Sequence, residues 1–312
     1  MSVELYTLER TKYLNNLKAM LQEEGGLLRG TYMRETVNAA EQATPCQLIG
    51  QIRTTPITSQ FQEKKRLDPV FEQPWYFPHT RSALTGADTI EMLRTDIKPN
   101  GKMVSQAAEA HGRDEDDYIL NACFATRKVG KTPSTDIAFS SDYTISSTSR
   151  RSDLTTDAFG LTPFKIKEVI KGFAKANVNL RRESITMVIS PEQSNDMLNE
   201  QEVQYALYAR RATTDDNGLL KSYLGINFII MNRLPISANI RSCPVYLRSG
   251  LALGVWNDIK IKMYEDNTTE GDPMMASSYM TMGATRIEEG RVWKVECSED
   301  TRVPETPIKA NS

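Results

Sequence analysis

His79 and His111 are the two imidazoles in the chain, and no G-x-S-x-G, H-E-x-x-H or G-x-G-x-x-G motif supplies either with a nucleophile, a metal or a nucleotide to act on. His111 falls within a helical pattern and His79 follows Pro78 in an extended one, so both read as structural hydrogen-bonding residues. The nearest approach to a phosphate site is ATRKVGKT, Ala125 to Thr132. It has Ala125 where the phosphate loop needs its first glycine, and it follows a helix where that loop must follow a strand. The run Asp114-Glu115-Asp116-Asp117 could be taken for a metal cluster, but side chains one and two apart on a helix do not face each other. It is expected instead to be a solvated face or the acidic first turn of a second helix. Cys46, Cys123, Cys243 and Cys297 are scattered without C-x-x-C spacing, which argues against a zinc ribbon or a disulfide framework. Carboxylate pairs carry no weight, because 40 acidic residues supply them by chance. No cofactor or metal is expected.

The basic doublets Lys64-Lys65-Arg66, Arg127-Lys128, Arg150-Arg151, Arg181-Arg182 and Arg210-Arg211 are spread over different elements. Sequence-specific DNA readout needs a concentrated basic face and a docking element, and neither is present. With 38 basic against 40 acidic residues the formal net charge is −2. The 312 residues are 39% apolar, roughly 41% when glycine is counted and tyrosine is not, against about 45–50% in typical domains. Mean hydropathy is −0.45. No apolar run is long enough to span a bilayer and the N-terminus has no apolar core of a secretory signal, so a soluble chain that stays in the cytoplasm where it is made is expected.

The elements that would position these residues can be read in order. Leu5, Leu8, Leu14, Leu17 and Leu21 lie on one helical stripe within 3–24, ended by Gly25-Gly26, packing either on its own domain or on a partner. From Thr44 to Arg81, Pro45, Pro56, Pro69, Pro74 and Pro78 exclude helix over most of the stretch and leave an extended, two-stranded excursion of about 35 residues, with a half-solvated strand at ITSQFQEK (57–64). Such an excursion has little core and needs a partner surface. Residues 100–127 should form a long helix, bent at Gly112. A strand is expected near 136–139. Thr162-Pro163 then starts a helix over 161–178, burying Phe164, Ile166, Val169, Ile170, Phe173 and Ala174. Residues 184–190 read as a buried strand, Ser190-Pro191 as the start of a helix, 202–211 as another helix and 225–232 as a second central strand. Strands follow at 243–249, 256–264, 274–287 and 291–297, the last two joined in a hairpin by Glu289-Gly290. Without a steady βαβα rhythm the class is α+β with a mostly antiparallel sheet.

The order of these features resembles the major capsid proteins of tailed bacteriophages, whose shell-forming fold is shared with encapsulins and the herpesvirus capsid floor. The likeness covers about residues 50–298. It is carried by Thr55-Pro56, Ala107 to Ala110, Arg113-Asp114, Tyr118 to Ala122, the exit Phe124 to Lys131, the strand-proline-helix unit 184–198, Leu224-Gly225-Ile226 and Leu234-Pro235. Its strongest part is Cys243 to Tyr246, Ser249 to Ile259 and Met282 to Arg286. Residues 1–45 and 301–312 match nothing in it.

The resemblance implies an N-terminal arm (1–45), an extended two-stranded loop with its lead-in (46–98), a peripheral domain with a long spine helix (99–160), a mainly axial domain with a largely antiparallel sheet (161–255), and return strands of the peripheral domain with a C-terminal tail (256–312). It implies a structural protein, not an enzyme, that assembles with itself into pentamers and hexamers of an icosahedral phage head in the virion. Assembly would take place in the host cytoplasm, with portal and scaffolding proteins and a decoration or cement protein as partners. Packaged double-stranded DNA would be contacted without sequence specificity, and no membrane is involved. Inter-subunit contacts are expected at Phe61, Lys64, Lys65, Arg66, Trp75 and Tyr76. The alternatives are an encapsulin-like compartment and a soluble α+β enzyme of the carboxylate type.

Overall fold

The computed structural model describes residues 25–37, 48–50, 71–87, 100–149, 159–208, 212–215, 217–266, 268 and 274–299, with scattered positions between 54 and 69. The expected 3–24 helix lies outside these residues, as does Cys46. Strands are numbered in chain order. An eight-stranded sheet runs β10 (Ala212–Thr214), β11 (Leu220–Tyr223), β12 (Ile226–Ile230), β9 (Ile185–Ile189), β14 (Ile240–Leu247), β17 (Val292–Ser298) and β8 (Thr144–Ile145), with β13 (Ile236–Ser237) hanging on β14. A four-stranded sheet runs β1 (Met33–Thr36), β15 (Leu251–Glu265), β16 (Met274–Arg286) and β5 (His79–Ala87). Two small sheets pair β2 (Leu48–Ile49) with β3 (Phe71–Glu72), and β4 (Pro74–Trp75) with β6 (Arg127–Val129) and β7 (Thr135–Ile137). Most pairings are antiparallel, the parallel ones being β1 with β15, β12 with β9 and β17 with β8. The α+β class therefore stands.

Helix α1 (Asn100–Phe124) is 25 residues long, about 37 Å at 1.5 Å per residue. It packs against β15 and β16 through a face that includes Ile119, Leu120 and Cys123, all buried. It continues through Gly112, which has a different use described below. Helix α2 (Pro163–Lys175) starts with Pro163 in the first turn, but the Thr162 side chain makes no cap hydrogen bond. Its buried stripe is Ile166, Val169 and Phe173, as expected, while Ala174 is exposed and Lys165 is buried in its place. The Lys165 ammonium explains this: it donates to the carbonyls of Phe159 (2.8 Å), Gly160 (2.9 Å) and Glu296 (2.8 Å), tying the helix to β17. Burial pushes its pKa down.

Strand β9, central between β12 and β14, is buried at all five positions, so both of its faces are covered. Helix α3 (Pro191–Asn199) begins with a reciprocal capping box between Ser190 and Gln193, and α4 (Gln201–Tyr208) follows. The expected hairpin at Glu289-Gly290 does not form. Residues Glu289–Arg291 make a short 3-10 turn, and the strands either side go to different sheets: β16 pairs with β15 and β5, β17 with β14 and β8. A turn signal is local, whereas strand pairing was decided by partners that already occupied β16 on both edges. The return segment is thus shared between the two large sheets.

Gly254 and Gly283, within the two strongest stretches of the resemblance, are register partners on β15 and β16. A Cβ on Gly254 would sit 2.4 Å from the Tyr76 ring, and one on Gly283 2.0 Å from the Phe77 carbonyl oxygen, so these glycines let the 76–77 segment lie flat on the sheet.

Candidate assembly surfaces

The described ends of the 44–81 stretch form a short root fastened to the body. Ile49 and Phe71 are directly opposite in the β2–β3 ribbon and are 63% and 65% exposed, an apolar cross-strand pair with no cover among the described residues. Behind it, the buried Arg127 guanidinium donates to Glu72 (2.6 Å) and to the Ile287 carbonyl (2.6 Å). The Trp75 indole donates to the Gly130 carbonyl at 2.8 Å. Tyr76 is buried, edge-on to Trp256 at 5.4 Å, with its hydroxyl 3.4 Å from Glu35.

Of the six expected contact residues, Phe61, Lys64, Lys65 and Arg66 lie outside the described residues, and Trp75 and Tyr76 pack within their own chain. The described positions inside 57–64, which are 58–60 and 63, are not in strand. Among the described residues, the two sides of the excursion pair with each other at its root, where Leu48 and Ile49 meet Glu72 and Phe71. The G-K-T run is a helix exit: Arg127–Val129 enters β6, and Gly130, at φ +115°, turns the chain toward β7.

The acidic run is where the sequence reading needs its largest correction. Glu115 and Asp116 are fully buried, not solvated. Their partners come from residues 25–34, some 90 positions away. Asp116 accepts the backbone N–H groups of Gly26 (2.9 Å), Leu27 (3.1 Å) and Leu28 (3.0 Å), and Arg233 reaches it at 3.3 Å. Glu115 accepts the Tyr32 hydroxyl and Arg29 (2.5 Å), with Arg34 at 3.9 Å. About two turns earlier Glu109 accepts the Gly25 N–H at 2.8 Å.

Gly25 crosses Gly112 so closely that a Cβ on Gly112 would lie 2.9 Å from the Gly25 carbonyl carbon. Past this clamp, β1 adds as a parallel edge strand to β15. Burial pushes the Asp116 carboxyl above its ordinary range, against the pull of the three N–H groups and Arg233, and burial beside Glu115 pushes the Tyr32 phenol up. No signal near 114–117 could have revealed this, because the donors, main-chain groups of 26–28 for Asp116 and the Arg29 and Tyr32 side chains for Glu115, are distant in sequence.

Both histidines are engaged within the chain. His111 Nε2 is 3.0 Å from Ser278 Oγ, both groups are buried, and burial holds the imidazole pKa below its usual value. His79 stacks on Tyr118, with ring centroids 5.9 Å apart. A cleft of about 360 Å³ lined by Arg81, Asp114, Asp117, Tyr118, Asn121 and Arg233 is a field of charges, with Arg233 paired to Asp117 at 3.0 Å. Among the described residues no group of three or more His, Cys, Asp and Glu side chains could hold a metal, and no helix is long and apolar enough to cross a membrane.

The described residues thus show a long helix clamped to residues 25–34 and two large sheets joined by one return segment, with the buried polar groups used for packing. Residues 7–299 match the model of the phage capsid protein family, and the chain belongs to that family. It is a major capsid protein, a structural component of the virion whose copies assemble into the icosahedral shell. Neither the enzyme nor the compartment alternative is favoured.

Solved structures agree on the fold. The capsid of cyanophage P-SCSP1u is similar at 11% identity over 90% of each chain, with a TM-score of 0.69. The capsid of Helicobacter pylori bacteriophage KHP30 is similar at 9% identity over 92% of this chain and 94% of that one, TM-score 0.67. That of Ralstonia phage GP4 is similar at 10% identity over 93% and 95%, TM-score 0.65. No curated protein matches the chain in sequence.

Proposed function

We propose that the chain forms pentamers and hexamers of a phage head around double-stranded DNA, with 1–45 as an arm, 46–98 as a loop laid across a neighbouring copy, 99–160 as the peripheral domain, 161–255 as mainly the axial domain and 256–312 as return strands and tail. The observation that carries this reading is the exposed Ile49–Phe71 pair at the head of a rigid root. A loop held that firmly at its base and left apolar at its exit is suited to deliver contacts outside its own body. Phe61, Lys64, Lys65 and Arg66, between the two root strands, are the residues assigned to those contacts, while Trp75 and Tyr76 fix the direction in which the loop leaves. Portal and scaffolding proteins, a decoration protein and assembly in the host cytoplasm belong to the same reading. The near-neutral chain suits a lining that holds DNA without reading its sequence.

Electron microscopy of the purified protein tests the proposal. Closed shells of defined diameter with five-fold and six-fold clusters are expected, and DNA inside particles taken from infected cells. Discrete small oligomers at every concentration, or shells filled with one protein cargo, would overturn it.

A further inference from the structure

One hairpin carries a residue that its backbone disfavours. Tyr223 and Ile226 are register partners, so Leu224-Gly225 is a two-residue turn, and both residues have positive φ, +50° and +82°. That is the turn in which asparagine followed by glycine is preferred, since a leucine there strains against its own Cβ. Leu224 is nevertheless 42% exposed, so its own burial does not account for it. The turn joins β11 to β12, one strand in from the β10 edge of the eight-stranded sheet, and its neighbour Tyr223 pairs with Ala212 of β10; α4, which packs on β10, holds two more exposed apolar side chains. Tyr205 is 72% and Tyr208 89% exposed. They are three residues apart on one helix and share a face.

We propose that Leu224, Tyr205 and Tyr208 form a contact surface for a second copy of this chain. The inference rests on the shell reading above and assigns specific side chains to it. The area decides the occupant. At roughly 150–250 Å² for a whole aromatic side chain, the three expose on the order of 400 Å², about half of the ~800 Å² per partner that a stable two-body complex requires. Such a patch is too small to hold a separate partner alone. It suffices for a copy that is gripped at several other places in the same shell, where each contact is made at high effective concentration. Tyrosine, which brings large amphipathic area at low entropic cost, is the residue type enriched at such contacts.

The test compares Leu224→Asn, Tyr208→Ser and a control, Leu219→Asn, with the unaltered protein. Leu219, also exposed, sits at the opposite end of β11. Asparagine suits the left-handed turn, so the Leu224→Asn subunit should melt no lower than wild type while its yield of shells, counted by electron microscopy and size exclusion at equal concentration, falls at least tenfold. Tyr208→Ser should lower the yield in the same way, and Leu219→Asn should leave it unchanged. Normal yields from both test variants beside normal wild-type shells would overturn this inference and leave the shell reading standing. Absence of shells from the wild type would instead overturn the shell reading. A lower melting point for Leu224→Asn would refute the assignment of strain at the turn.

Discussion

Replacing Gly112 by alanine separates two opposed effects at one atom. In an isolated helix the change is favourable by about 0.8–1.0 kcal/mol, because glycine costs the most backbone entropy. Here the new Cβ would stand 2.9 Å from the Gly25 carbonyl carbon and 3.0 Å from the Gly26 nitrogen. The 25–28 backbone would have to retreat by several tenths of an ångström, and it is pinned by four N–H donations to the Glu109 and Asp116 carboxylates at 2.8 to 3.1 Å. A hydrogen bond to a charged group contributes about 1.5–3 kcal/mol. Losing two of the four would cost about 3 kcal/mol or more, so the net change is a destabilisation of about 2 kcal/mol. Urea unfolding of the unassembled subunit, followed by tryptophan fluorescence, measures it. Limited trypsin digestion at Arg29 and Arg34, both held by Glu115, reports whether the arm has lifted. Gly25→Ala should act in the same direction without the helical gain, since its Cβ would meet the Glu109 carbonyl oxygen at 2.4 Å. A Gly112→Ala subunit that gains about 1 kcal/mol and keeps its arm protected would show that helix propensity alone acts here, and the crossing would be refuted.

Replacing residues 51–69 with a short glycine-serine link should abolish shells while leaving the body folded, because Ile49 and Phe71 already face each other across the root. Loss of the helical and sheet circular dichroism signal would contradict a detachable loop. A longer cut, 57–80, would also remove Trp75 and Tyr76 and is expected to unfold the neighbourhood of β6 and β15. The buried His111 imidazole has its pKa lowered, so the unfolded chain binds the extra proton first: stability should fall as pH drops below about 6.5, with a slope of at most ~1.4 kcal/mol per pH unit, until the folded-state pKa is passed. His111→Gln should remove this component of the slope; an unchanged pH profile of the melting point between pH 7 and 5 would assign it to other groups.

Elements set by neighbouring residues were legible in the sequence. The extent of α1 followed from apolar spacing and the start of α3 from Ser190-Pro191, which the structure completes with a capping box to Gln193; of the run after residue 44, the described ends are strand, and most of its middle lies outside the described residues. The chemical reading was sound where it rested on local geometry, as at Ala125 to Thr132, which lacks both the glycine and the preceding strand of a phosphate loop.

What the sequence determined by itself was the type of each element, since helix periodicity, caps and proline breaks act over a few residues. Only the tertiary structure decided which elements meet. Glu289-Gly290 carries a hairpin signal, yet β16 and β17 parted because each had other strands to complete. Lys165, absent from the expected buried face of α2, is enclosed because three carbonyls from residues 159, 160 and 296 close around its ammonium. Glu115 and Asp116 looked like a solvated face until the arm brought its own N–H groups and arginines to them. A carboxylate can be buried when donors replace its water; for Asp116 three of those donors are main-chain N–H groups that every residue except proline carries, and for Glu115 they are the side chains of Arg29 and Tyr32, which only the fold brings within reach.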